Sequence, residues 1–136
     1  MTTSRRSIQL VAPFAVSSLT AVEGAVLVQG SADNSAALPA GADPNPVSVA
    51  LLGLSLFAVT STQTGADVVT AGIFPAVAAA SISRGQALTV ANTSGGVKAA
   101  APAAGANVAI IGYAMEDASS GERVAIDIRI GALQGA

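Results

Sequence analysis

Apolar and polar positions alternate along much of this chain with a period of two, the signature of half-buried β-strands. The alternation is clearest near the C-terminus. Val124, Ile126, Ile128 and Ile130 fall on one face; Arg123, Asp127 and Arg129 fall on the other, with Ala125 among them. This predicts an antiparallel strand over 122–130 with one wet face. Further strands are predicted over 7–11, 25–29, 47–60, 67–74, 86–91, 97–100 and 107–115. Within the third of these, Leu52, Leu54 and Leu56 share one face, and Gly53, Ser55 and Phe57 share the other, so both faces are expected to be covered. Asn92-Thr93-Ser94-Gly95-Gly96 and Ser119-Ser120-Gly121 read as hairpin turns. One weak helical turn is expected over 76–81. The pattern predicts an all-β fold: a single-domain β-barrel or β-sandwich of about eight mostly antiparallel strands. It would span 1–136, with an extended N-terminal arm (1–7) and a long loop (30–46).

An internal echo accompanies the pattern. Leu51-Leu52-Gly53-Leu54-Ser55 resembles Ile110-Ile111-Gly112-Tyr113-Ala114, and Gly65-Ala66-Asp67-Val68 matches Gly121-Glu122-Arg123-Val124. Two related hairpins in one domain would give this arrangement.

Composition narrows the functional classes. The 136 residues are 51 % apolar and only 10 % charged, against about 25 % in an average soluble domain. Thirty-one are Ala, and four are aromatic: Phe14, Phe57, Phe74 and Tyr113. Six basic residues against eight acidic ones, with no basic stripe, argue against a nucleic-acid partner. So uncharged a surface favours contact with other subunits over isolation in water. Residues 44–66 carry no charge, but only 47–59 are densely apolar and a Ser/Thr/Gln run comes next, so a buried strand is expected there and no membrane partner. Thr3-Ser4-Arg5-Arg6-Ser7-Ile8 resembles a twin-arginine export signal, yet Pro13 interrupts the apolar stretch beyond it and Glu23 ends that stretch; the expected reading is a polar arm leading into the first strand.

The catalytic alphabet is sparse. The chain has neither Cys nor His, which removes thiol chemistry, sulfur-ligated zinc and the commonest general base. Walker and G-x-G-x-x-G patterns are missing. Ser55 follows Gly53-Leu54, but Phe57 breaks the nucleophile-elbow pattern. Glu116, Asp117, Glu122 and Asp127 could pair as glycosidase carboxylates, but Tyr113 is the lone aromatic nearby to hold a sugar; a solvated turn is the expected reading. Asp33-Asn34 and Asp43-Pro44-Asn45 offer one carboxylate each, too few for calcium, and read as turns. No catalytic residue, cofactor, metal or small-molecule substrate is expected.

Taken together, several segments resemble the small capsid decoration, or cement, proteins of tailed bacteriophages. They are Ile8-Gln9-Leu10-Val11-Ala12-Pro13, Val22-Glu23-Gly24-Ala25-Val26-Leu27-Val28, Leu52-Gly53-Leu54-Ser55 and Thr64-Gly65-Ala66-Asp67-Val68-Val69. At the C-terminal end the likeness is strongest, through Ile82-Ser83-Arg84-Gly85-Gln86-Ala87-Leu88-Thr89-Val90, Ile111-Gly112-Tyr113-Ala114-Met115-Glu116-Asp117-Ala118 and Gly121-Glu122-Arg123-Val124. The loop 30–46 departs from the compact form of that pattern. The resemblance implies a β-barrel or β-sandwich subunit on the outer surface of an assembled virion head. Its partners would be the major capsid protein and itself, as a homotrimer. Arg5, Arg6 and Ser7 of the arm are the candidate capsid-contact residues, since an Arg fork binds carboxylates bidentately. The alternatives are a secreted or surface β-module, such as an adhesin or fimbrial subunit, and a carbohydrate-binding domain.

Overall fold

The computed structural model describes residues 6–136, and among these there is no helix. Nine strands succeed one another: β1 (Ser7–Ala15), β2 (Val26–Gln29), β3 (Ala36–Ala37), β4 (Leu51–Ser55), β5 (Gly65–Val77), β6 (Ala87–Val90), β7 (Val97–Ala99), β8 (Asn107–Ala114) and β9 (Arg123–Gln134). All pairs between them are antiparallel, in one curled sheet of order β3-β2-β4-β5-β9-β8-β6-β7, with β1 added on β5.

The sheet branches at β5. One edge of β5 is covered by β1, from Gly65 opposite Ala15 to Ile73 opposite Ser7. The other edge is shared end to end. β4 holds Val68 and Val69, and β9 takes over from Gly72 to Val77. The two branches then diverge, and the larger core fills the space between them. It contains Leu54, Val69, Phe74, Leu88, Ile111 and Ile126. A smaller core of Val16, Leu19, Leu27, Val59 and Val68 lies behind the first branch. There a bridge from Ala15 to Ser35 joins β1 to the start of β3 and closes a ring through β2, β4 and β5. Val26 and Val28 serve the larger core while Leu27 serves the smaller, so β2 is buried on both faces. Each large apolar side chain buried in this way contributes roughly 1.5–3 kcal/mol.

The internal echo is a duplication of the whole hydrogen-bond pattern. Residues 11–69 and 73–127 make two like units. Gly24 and Ser55 of the first correspond to Gly85 and Ala114 of the second: the glycine amides donate to the Ser55 and Ala114 carbonyls, both at 2.8 Å, and both glycines have positive φ. Ala21 and Val59 exchange two backbone bonds, and so do Ile82 and Ala118. Hairpin β2–β3 pairs Gln29 with Ala36; hairpin β6–β7 pairs Val90 with Val97. Side chains repeat as well. Gln63 Oε1 accepts from the Thr60 amide and Glu122 Oε1 from the Ser119 amide, each at 2.7 Å. The strand β1 of the first unit corresponds to the C-terminal half of β5 in the second, which places Pro13 and Pro75 at equivalent positions. Val16 and Ala78 donate inward, to the carbonyls of Thr64 and Glu122. By alternation both prolines turn the side that lacks an N–H away from the paired strand, where no ladder bond is lost.

Several expectations need correction. The strand expected over 47–60 is only β4. Residues 47–49 curl instead, because Asn45 caps them: its Oδ1 accepts from the Val47 amide and its carbonyl from the Ser48 and Val49 amides. The turn expected as helical over 76–81 is the end of β5, followed by a bridge from Ala78 to Val97. β1 runs past Val11 to Ala15, since Pro13 sits harmlessly on an edge. The loop 30–46 contains β3. Gly65 corresponds to Arg123 rather than to Gly121, because the shared register sets Val68 against Ser55 and Ile126 against Ala114. Val124, Ile126 and Ile128 are buried as expected, but Ile130 is 43 % exposed: past Gly72, β4 takes the edge of β5 and β9 peels away from it.

The packing makes two stability predictions. A Cβ at Gly53 would fall on the Val69 carbonyl oxygen, and one at Gly112 on that of Asp127, the equivalent partner; one at Gly131 would meet nothing. Gly53→Ala and Gly112→Ala are each expected to cost about 1–3 kcal/mol, with Gly131→Ala close to neutral. Ile126→Asp buries an unpaired charge and is expected to cost several kcal/mol, whereas Arg129→Ser on the wet face costs under about 1 kcal/mol. Urea unfolding curves check both sets.

Candidate interaction surface

The three residues proposed for the N-terminal arm occupy different situations. Arg5 lies outside the described residues. Arg6 is engaged within the chain: Nη2 lies 2.5 Å from Glu23 Oε1, and its guanidinium carbon stands 4.9 Å above the centre of the Phe74 ring. Arg123 Nη1 donates to the Glu23 carbonyl as well. The turn at Val22-Glu23-Gly24 is thereby clasped to β9 and to the chain that leads into β1. Gly24 makes the close approach possible, because a Cβ there would strike the Pro75 carbonyl. Ser7 is the first residue of β1, opposite Ile73. The arm therefore ends at Arg6 as a fixed element, and the sequence pattern held no sign of the Glu23 and Phe74 partners, which sit 17 and 68 positions away.

The acidic residues serve turns. Asp117 Oδ1 accepts from the Arg84 amide at 2.8 Å, Glu122 Oε1 caps Ser119, and Glu116 Oε2 accepts from the Ala125 amide at 3.3 Å. Asp127 pairs along its own strand with Arg129 at 2.7 Å. Each of these carboxylates is engaged by a backbone amide or by Arg129. The described residues also contain no cluster of three or more His, Cys, Asp or Glu able to hold a metal ion.

Asp43 has a structural task that its sequence did not reveal. β6 pairs with β8 only at Ala87 and Leu88, after which the two strands part. Residues 43–44 lie as a strap across the gap. The Asp43 amide donates to the Val90 carbonyl at 3.1 Å, and the Ala109 amide donates to the Pro44 carbonyl at 2.8 Å. Buried Thr89 donates its hydroxyl to the Ala109 carbonyl at 2.7 Å, and Lys98 Nζ pairs with Asp43 Oδ2 at 2.8 Å. The expected turn is thus also a joint between the two units.

Several large apolar side chains are exposed. Val47 is 90 % exposed, Phe57 61 % and Leu10 57 %. Val47 stands at the rim of an open groove of about 590 Å³ between the β2–β3 hairpin and residues 46–50, walled by Val28, Leu38 and Val49. Such features suit protein contact better than chemistry.

No protein-family model matches this chain, and no curated protein sequence matches it. Among solved structures, it is similar to the head fiber gp8.5 N base of bacteriophage phi29, with a TM-score of 0.60 and 18 % sequence identity over 88 % of this chain and 93 % of that one. At that identity the likeness is one of fold, and it extends through both units.

The Arg6 clasp makes a prediction. Arg6→Ala removes an exposed ion pair and uncovers the Phe74 ring, for an expected loss of about 1–2 kcal/mol. Glu23→Gln removes the pair alone and is expected to cost under about 1 kcal/mol. Equal losses in urea unfolding would show that the ring contact carries nothing.

Proposed function

We propose that this protein is a structural component of a bacteriophage virion that binds the outer surface of the assembled head and reinforces its lattice. The observation that carries the reading is the shared fold, nearly end to end, with the base of a phage head fiber. The resemblance of the sequence to capsid decoration proteins points the same way, as does a surface with few charges and carboxylates spent on turns. The role is non-enzymatic, and the partners are the major capsid protein and further copies of this chain, as a homotrimer.

The physical basis is avidity. An oligomer seated across several capsid subunits makes each added contact effectively intramolecular, so modest interfaces sum to firm attachment. A ligand that binds only the assembled lattice stabilises it by mass action. The arm contributes contacts through Arg5, with Arg6 and Ser7 fixing where it leaves the domain.

Co-sedimentation of the purified protein with mature, empty and unexpanded heads tests the reading. Binding to at least one head form, with little to dissociated capsid subunits, is expected. The double substitution Glu116→Gln with Asp117→Asn is expected to leave that binding unchanged. Equal binding to dissociated subunits, or binding to no head form, would overturn the proposal.

A further inference from the structure

The two units of the chain present equivalent grooves, and the chain fills one of them itself. In the second unit the groove lies beside Lys98, Ala99 and Val108, and the strap 43–44 from the first unit occupies it, leaving about 320 Å³ open. In the first unit the same place is lined by Ala37, Leu38 and Val49; here Ala37 stands where Lys98 stands, Gln29 where Val90 does and Ala50 where Ala109 does. No described residue straps this groove.

The strap has an equivalent too. In the second unit it is the loop 101–106, an exposed run of Ala, Pro and Gly that holds no charge, in which Gly105 shares the positive φ of Asp43. That loop is anchored at its base, where Ala104 bridges Gly135 and the Gly105 amide donates to the Gly135 carbonyl at 3.1 Å. The first unit grips the second with its loop; the loop of the second unit holds Gly135 of the same chain, through the Gly105 amide and the Ala106 carbonyl, and its side chains stay exposed.

We propose that the loop around Ala104 docks into the groove beside Ala37 of a second copy of this chain through side-chain contact, since Gln29 there bonds Ala50 directly and leaves no gap for a backbone strap. The side chains agree with this pairing. Inside the chain Asp43 pairs with Lys98; between chains Ala37 stands in the place of Lys98 and the loop 101–106 holds no charge, so none is buried alone. Val47, nearly fully exposed at the groove rim, gains cover. The contact joins two different surfaces, so it is head-to-tail and forms a ring where the rotation closes. It deepens the proposed self-association and is testable without heads.

Because the chain has no Cys, introduced cysteines report unambiguously. Under mild oxidation, the double variant Ala37→Cys with Ala104→Cys is expected to give a ladder of disulfide-linked chains, and each single variant none. A mixture of the two single variants is expected to give a linked dimer. Sedimentation velocity should show the wild type as an oligomer, and Val47→Asp, with an unchanged circular dichroism spectrum, as a smaller species. Absence of interchain links in the double variant, or Ala37→Cys linking to itself as readily, would overturn the proposal. So would an unaltered oligomer in Val47→Asp. If such a result came with intact co-sedimentation on heads, the self-contact would fail while head binding stood.

Discussion

One strand holds the molecule together. β5 runs for 13 residues without a break, and its two halves belong to different units. Its first half closes the first unit against β1 and β4; its second half opens the second unit against β9. The handover of one edge from β4 to β9 forces the branches apart, and that divergence creates the space that Phe74, Leu54 and Ile126 fill. Gly72 marks the change. Its φ is +113°, and a Cβ there would strike the Ser7 carbonyl, so any other residue would push β1 off the strand just where its register shifts. The strap at 43–44 and the clasp of Arg6 on Glu23 are secondary fastenings across a frame that β5 has already set.

This frame explains why the chain can be so short of charge and aromatic side chains. Two small units fused along a strand share their largest core, and several strands are buried on both faces, which Val, Ala, Ile and Leu do well. Polar side chains are left for turns, and the carboxylates that resemble candidates for chemistry are spent capping backbone amides. What the molecule offers to the outside is shape: grooves, a loop of Ala and Gly, and a few isolated apolar side chains. Its fold is similar to that of a phage head fiber base.

Much of this is legible in the residues. Period-two alternation locates β9 and its buried face, and the Gly-rich runs locate the hairpin turns. The echo of Leu51–Ser55 in residues 110–114 announces the duplication. The misses have physical causes. Pro13 and the run at 76–81 look like interruptions in the sequence, yet a proline costs a strand nothing when its missing donor faces outward, and alanines extend a strand as readily as a weak helix when a partner is at hand. β3 leaves no trace in the pattern because two residues carry no period. The tasks of Asp43, Arg6 and Glu23 depend on partners 17 to 100 positions away in sequence, which no local pattern encodes.

We propose that this protein sits on the outside of a virus head. Electron cryomicroscopy of phage heads, bare and saturated with the purified protein, tests it most directly. The account predicts added density on the outer surface, repeating with the capsid lattice and fitted by the nine-stranded domain. Heads whose outer surface stays unchanged at saturating protein would contradict it.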